Sequence, residues 1–146
     1  MAIKTDAVGK SWPSTTYQVS REKIKEDATV LGIENPVHYD VGAAREAGFR
    51  DVVAPPMFAV VYAMPSLGPA MFDPEVGINF ARLVHGGQTF EWDEPACSGD
   101  EITTTATLVS ATEKLDNGFY VFETTSVNGA GAEVVRGTWT NIVRGG

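Results

Sequence analysis

Residues 52–72 read VVAPPMFAVVYAMPSLGPAMF, a run of 21 residues without a charged side chain. That length would suit a membrane span, but four prolines interrupt the run. Proline is tolerated in the first turn of a helix and breaks a helix interior. The pattern therefore predicts a buried core helix that is entered through Pro55-Pro56 and ends near Pro65, and no membrane association is expected.

The sequence after this helix has the composition of β-strands. Four segments are rich in Thr, Val, Ile, Phe and Trp, and two Asn-Gly pairs mark tight hairpins between the last three. The predicted strands cover residues 82–92, 101–112, 119–127 and 133–143. Helices followed by an antiparallel meander predict an α+β fold. One antiparallel sheet would wrap around a long central helix, the plan called a hot dog.

Two shorter helices are predicted before the core helix. Ser20 is a typical N-cap, and Ile24, Ala28 and Leu31 follow it at helical spacing as one apolar stripe. Asp40 can cap the second, shorter helix. The residues between these two helices are predicted to form a loop.

Size and charge limit the classes of function. The chain has 146 residues, and we expect residues 1–146 to form a single domain. The net charge of −8 argues against a nucleic-acid partner, which requires a basic face. One cysteine, Cys97, and no secretory signal at the start of the sequence predict a cytoplasmic protein. The acidic excess falls after residue 50, so an anionic group should prefer the basic side chains Arg21, Lys23, Lys25, Arg45 and Arg50.

Histidine chemistry has two candidates, His38 and His85. The sequence contains no nucleophile motif, phosphate-binding glycine loop or metal-ligand spacing, so neither a metal nor another cofactor is expected. His38 lies in a polar loop stiffened by proline, where an imidazole can exchange protons near neutral pH. The alternative is an imidazole that only braces the loop.

The loop around His38 resembles a known family. Residues 32–38, GIENPVH, are similar to the G-D-x-N-P-x-H loop of the MaoC-like, (R)-specific enoyl-thioester hydratases. The likeness continues at 52–58 (VVAPPMF), 85–90 (HGGQTF) and 95–100 (PACSGD), and covers residues 12–143 in the same order. It is greatest to the N-terminal, FAS1-like branch. That branch includes acyl-binding subunits of mycobacterial-type 3-hydroxyacyl-carrier-protein dehydratase heterodimers.

The resemblance implies a mechanism and shows two departures from it. In active members an Asp and a His of the loop hold a water molecule and move a proton across the C2–C3 bond. A backbone N–H at the start of the central helix polarises the thioester carbonyl. Here Ile33 occupies the Asp position, and Pro56, at the start of the helix, has no N–H. The N–H of Met57 is the nearest substitute, and His38 is the catalytic residue that remains.

The same resemblance implies a substrate site and its lining. The side chains expected to bind substrate are Asn35, Pro36, Pro56, Met57, Tyr62, His85 and Gln88. Candidates for the lining of an acyl tunnel are Tyr62, Met57, Met64, Met71 and Phe72, for which ordinary core packing is the alternative.

The implied function is that of a hydratase or dehydratase subunit that acts on 2-enoyl or (R)-3-hydroxyacyl thioesters of coenzyme A or a carrier protein. With Ile33 in the Asp position, we expect it to bind the acyl chain and to need a partner for full activity. Homodimers and heterodimers with a second hot-dog subunit are both open. The alternatives are a self-sufficient homodimeric enoyl-CoA hydratase that uses His38, and a non-enzymatic acyl-thioester binding module. The pathway is open, with fatty acid metabolism among the choices.

Overall fold

The computed structural model describes residues 2–145. Five strands and four α-helices alternate with short 3-10 turns along the chain. In order they are β1 (Thr15–Gln18), α1 (Arg21–Val30), α2 (Val41–Glu46), α3 (Ala59–Ala63), α4 (Gly68–Met71), β2 (Leu83–Trp92), β3 (Glu101–Lys114), β4 (Asn117–Val127) and β5 (Glu133–Val143).

The strands form one antiparallel sheet in the order β1-β3-β4-β5-β2. The predicted strands and hairpins agree with this sheet to within two residues at nearly every boundary. Alternate residues of β3, β4 and β5 are buried on the face that receives the helices. The α+β hot-dog prediction is confirmed, and β4 is the central strand of the sheet.

The central segment is helical but is not one long helix. A 3-10 turn at Pro56–Phe58 leads into α3, and a second at Met64–Leu67 leads into α4. The α-helix entered through Pro55-Pro56 ends at Ala63, near Pro65 as predicted, but the helical path resumes after it and continues to Met71. Pro65 and Pro69 each lie in the first turn of a new short helix, where a missing N–H breaks no internal hydrogen bond.

The two early helices form as predicted, with one correction. The Ser20 hydroxyl accepts the N–H of Lys23, and the Asp40 carboxylate accepts the N–H of Ala43. Ile24 and Ala28 are buried, but Leu31 is 53% exposed. The apolar stripe is shorter than predicted because α1 ends at Val30, which leaves Leu31 in the cap.

The N-terminal strap, residues 3–12, fastens the far end of the central segment to the sheet. The indole N–H of Trp12 and the ammonium of Lys10 both donate to Asp73 Oδ2, at 2.8 and 2.7 Å. Trp12 itself is buried and its ring lies 6.1 Å from that of Phe122. Asp73, which directly follows Phe72, therefore joins the strap to the end of the central segment. No helix within residues 2–145 has the length and apolar character needed to cross a membrane.

Acid should weaken this attachment within a defined pH range. Hydrogen bonds from Lys10, from the Glu75 N–H and from Trp12 lower the pKa of Asp73 to about 2. Because the unfolded pKa is higher, at ~3.9, the stabilisation is complete above about pH 4 and is lost as the pH falls towards 2. We expect Asp73→Asn to lower the melting temperature at pH 7 and to reduce its decline between pH 4 and 2, measured by circular dichroism. Asp6→Asn is the control, since Asp6 is an exposed carboxylate of the same strap. An identical decline in wild type and Asp73→Asn would contradict this role.

Candidate functional site

The loop that carries His38 is a single 3-10 turn over Pro36–His38. The Asn35 side chain caps this turn by accepting the N–H of Val37 at 3.2 Å. Pro36 supplies a preset φ in its first turn, where no N–H is needed. The His38 N–H closes the turn by donating to Asn35 O. The spacing Asn-Pro-x-His therefore fixes the backbone of the turn that carries the imidazole through local hydrogen bonds.

A second set of contacts attaches His38 to residues 52–54. His38 Nδ1 lies 2.6 Å from Val53 O, and the Val53 N–H donates to Val37 O at 3.1 Å. A carbonyl oxygen only accepts, so Nδ1 carries the hydrogen and the neutral ring presents its lone pair at Nε2. The imidazole thus braces the loop through one nitrogen and keeps the other available as a base.

Segment 52–54 is held on its other side by the turn that contains Cys97. Val53 and Cys97 form an antiparallel β-bridge, and the Ala54 N–H donates to Ala96 O at 2.8 Å. Asp100, which is 8% exposed, accepts the N–H of Cys97 and two hydrogen bonds from the Arg50 guanidinium. Burial raises the pKa of the Cys97 thiol, which makes it a packing residue rather than a nucleophile.

Three of the basic side chains expected to attract an anionic group are arginines near this turn. Two of these arginines are already paired with carboxylates. Arg21 forms a bidentate pair with Asp51, and Arg50 forms one with Asp100. Arg45 donates through Nε to Arg50 O and is exposed. An anionic group at this end of the protein would therefore meet Arg45 before the two paired guanidinium groups.

Cleft 1, of about 500 Å³, opens beside His38. It brings together four predicted site residues, namely Asn35, His38, Pro56 and Tyr62, with a largely apolar wall from Val37, Ala47, Phe49, Val53, Ala54, Pro55, Trp92, Pro95, Ala96 and Val134. Tyr62 is 3% exposed, and burial raises the pKa of its hydroxyl, so the group stays protonated. The Trp92 indole donates to Pro56 O at 2.8 Å and joins β2 to the start of the central segment.

Two carboxylates in cleft 1 were missed by the sequence analysis. Asp93 and Glu94 line the cleft with His38, whereas Ile33 lies outside the lining among the residues that the structure describes. Their backbone N–H groups donate to Val134 O and Glu133 O, so they extend the β2–β5 pairing past the end of β2. The signal in the sequence is the Trp-Asp-Glu-Pro run at that strand end. Its proximity to the His38 loop depends on tertiary contacts that spacing does not reveal.

Three predicted binding residues line neither this cleft nor the second cleft described below: Pro36, Met57 and Gln88. The Met57 side chain is 48% exposed. Its backbone nevertheless matters, because Pro56 has no N–H and the Phe58 N–H is used within the turn, donating to Pro55 O. Met57 is therefore the first residue of the turn with an amide hydrogen that could meet a substrate oxygen. Gln88 faces inward opposite Trp139, and its Nε2 donates to Thr89 O.

Cleft 2, of about 280 Å³, lies along the other half of the central segment. Its lining contains the predicted residues His85, Met64, Met71 and Phe72, together with Leu67, Gly68, Phe80, Leu83, Trp139 and Asn141. The His85 ring stacks on Trp139, with centroids 6.1 Å apart and planes at 24°. The structure thus places His85 away from cleft 1 and separates the predicted binding residues into two groups.

Comparison with known proteins assigns the chain to one family by two independent matches. The sequence pattern of the FAS1-like dehydratase domain region matches residues 6–136. A protein of Clavibacter michiganensis named UPF0336 protein is 38% identical over 146 residues, which cover 99% of this chain and 98% of that protein.

Solved structures agree with this result. A MaoC-like dehydratase superposes with a TM-score of 0.87 at 26% identity, covering 96% of this chain and 43% of that longer chain. A chain of the HadBC (3R-hydroxyacyl-ACP dehydratase) complex from Mycobacterium tuberculosis superposes with a TM-score of 0.85 at 23% identity, covering 96% of this chain and 99% of that one. At that level of identity the second likeness supports the fold alone.

The Asp100 carboxylate should stabilise the wall that holds His38. Asp100→Ala removes both bonds to Arg50 and leaves the buried Cys97 N–H without its acceptor, which should cost about 1–3 kcal/mol of unfolding free energy. Arg50→Gln is the matched control, because the carboxylate still accepts from Cys97 and the Arg50 side chain is 62% exposed. Denaturant unfolding of both variants tests this, and an equal loss in the two would contradict it.

Proposed function

The chain belongs to the FAS1-like dehydratase family, and from that membership we propose that it is a hydratase or dehydratase subunit acting on 2-enoyl and (R)-3-hydroxyacyl thioesters. The thioester would be carried by coenzyme A or a carrier protein in the cytoplasm. The chain would form one MaoC-like domain over residues 1–146, whose two end residues lie outside the described range. It would bind the acyl chain and depend on a partner for full activity.

The observation that carries this proposal is the composition of cleft 1. Hydration adds water across the C2–C3 double bond, with the hydroxyl going to C3 and a proton to C2; dehydration reverses this. Both directions need a group that handles the proton and one that orients the water. His38 provides the first through Nε2, while Ile33 leaves the family's carboxylate position without an acid.

The apolar surface along the central segment supports acyl binding. Tyr62 lines cleft 1 and Met64 lines cleft 2, so the two clefts follow one another along the same helical segment. A thioester near His38 could extend its hydrocarbon chain past Tyr62 towards Met71 and Phe72. The protonated Tyr62 hydroxyl would serve as a hydrogen-bond donor to a substrate oxygen.

The free edge of β2 supports a second subunit. Within residues 2–145, β2 pairs only with β5, and an unpaired strand edge invites another chain. Val84 and Trp92 of this strand are 42% and 50% exposed, and Phe72 and Phe80 beside it are 72% and 55% exposed. Exposed apolar groups in such a patch are typical of an interface. A second hot-dog subunit would cover them, and a different subunit with an intact Asp and His could also supply the acid that Ile33 replaces here.

A second candidate function is a self-sufficient homodimeric enoyl-CoA hydratase. The observation that favours it is the presence of Asp93 and Glu94 in the same cleft as His38. Either carboxylate, although it lies after β2 rather than in the His38 loop, could perform the role of the family's Asp. This candidate requires turnover by the purified chain alone.

Steady-state assays of hydration separate the two. With crotonyl-CoA and longer enoyl-CoA substrates, we expect the chain alone to bind thioester but to turn over at least about a hundred-fold more slowly than the complex with its partner, because one proton-transfer group is missing. Ile33→Asp should raise the rate of the isolated chain. Turnover at an ordinary rate that His38→Ala abolishes would contradict the partner-dependent proposal. Tight binding without turnover under any pairing would indicate a non-enzymatic acyl-binding module.

Carboxylate variants identify the acid if the isolated chain is active. In that case Asp93→Asn or Glu94→Gln should lower kcat by about a hundred-fold or more with little change in KM, because the carboxylate acts on the proton or water rather than on binding. Glu91→Gln is the matched control, since Glu91 lies on the outer face of the same strand opposite Arg136. An equal effect of all three variants would rule out a specific role for the cleft carboxylates.

A further inference from the structure

Asn141 has an unusual environment on the inner face of β5. The residue is 6% exposed and lines cleft 2. Its Nδ2 is buried and has no hydrogen-bond partner among residues 2–145. The surrounding wall of cleft 2 comes mostly from apolar side chains such as Leu67, Met71 and Trp139. An amide donor is therefore built into a cleft that otherwise favours hydrocarbon.

Such a donor needs an explanation. Nearly all buried polar groups in folded proteins are paired, because an unpaired one loses its hydration without compensation. A Leu at the same position would pack in the cleft without this cost. The presence of Asn at this position is explained if a ligand bound in cleft 2 supplies a hydrogen-bond acceptor for Nδ2.

His85 provides a second polar group at the same place. It is the register partner of Asn141 on β2, so the two side chains stand side by side on one face of the sheet. His85 lines cleft 2 and is held against Trp139 by stacking. A neutral imidazole offers one donor and one acceptor, and the Asn141 amide offers the unpaired donor.

We propose that Asn141, with His85 opposite, binds a hydroxyl group on the acyl chain in cleft 2. A hydroxyl oxygen can accept from Nδ2 and donate its hydrogen to the imidazole, which satisfies both groups. This inference rests on the proposed acyl-thioester function and narrows its substrate class to thioesters hydroxylated along the chain. Asn141 is then a specificity-determining residue.

The hydroxyl group that Asn141 and His85 would bind lies further along the acyl chain than C3. Cleft 1 holds His38 and reaches Val134, whereas Asn141 is seven residues further along β5. Val134 and Asn141 line different clefts, so C3 of a thioester held beside His38 lies in cleft 1 and not beside Asn141. A hydroxyl at C3 beside His38 could not also reach Asn141.

An ordered water molecule is the competing occupant. Gln88 Oε1 is also buried and has no partner among residues 2–145, and it faces inward two register pairs away from Asn141. A water bridging Asn141 Nδ2 and Gln88 Oε1 would make the Asn a structural residue. This alternative predicts that loss of the amide destabilises the protein and leaves ligand preference unchanged.

Calorimetric titration of the full chain tests the inference. The probes are dodecanoyl-CoA, its 3-hydroxy derivative and a derivative hydroxylated near the end of the chain. We expect wild type to bind the distally hydroxylated probe roughly two- to ten-fold more tightly than dodecanoyl-CoA, the effect of one hydrogen bond. Asn141→Leu should lose this preference and keep its affinity for dodecanoyl-CoA. Thr140→Val, which removes a polar group from the outer face of the same strand, should behave as wild type.

The melting temperature of unliganded Asn141→Leu provides a second measurement. We expect it to equal or exceed that of wild type, because the unpaired donor is gone. A clear fall would support the structural water and overturn the inference. Binding of all probes without preference, or a preference confined to the 3-hydroxy probe, would overturn the inference while leaving the proposed function intact. Failure of wild type to bind any thioester would overturn both.

Discussion

The position of His38 in cleft 1 depends on how residues 52–54 are held. Val53 accepts from His38 and donates to the loop on one side, and it bridges to Cys97 on the other. The buried Asp100 carboxylate, which accepts the Cys97 N–H, keeps that second side in place. Because the central segment starts directly afterwards, at Pro55-Pro56, the same contacts fix both the imidazole and the first amide of the turn. Movement of this short segment would displace the proposed base, His38, and the proposed oxyanion donor, the Met57 amide, together.

Proline gives the central segment its shape and also limits its chemistry. Pro56, Pro65 and Pro69 each lie in the first turn of a short helical element, and what could be one helix is divided into four pieces. The same residues lack the N–H that a helix start would otherwise offer to an anionic oxygen. The segment therefore presents mostly apolar surface to both clefts, with Met57 as the first residue that has an amide hydrogen. This balance suits the binding of an acyl chain more than the stabilisation of an oxyanion.

Cleft 1 contains two carboxylates, Asp93 and Glu94, although the Asp position of the His38 loop is occupied by Ile33. Ile33 lies outside the lining of cleft 1 and can neither relay a proton nor orient water. Asp93 and Glu94 reach the cleft from the end of β2, and Trp92 beside them bonds to Pro56 O. A subunit that needs a partner and one that works alone differ in which carboxylate faces the substrate. The free edge of β2 is next to these residues, so a partner there would also change their surroundings.

The sequence by itself determined the local structure: the caps at Ser20, Asn35 and Asp40, the hairpin turns, the strand bounds and the likeness of the His38 loop to its family. These features depend on neighbours within a few residues, so spacing and residue type predict them. Spacing could not predict that Leu31 is exposed, that the helical path passes Pro65, or that Asp93 shares a cleft with His38. Spacing also could not predict that the predicted binding residues fall into two clefts, or that the Asn141 amide has no partner among residues 2–145. Only the tertiary structure decided these, because they depend on sheet register and on packing between residues far apart in the chain.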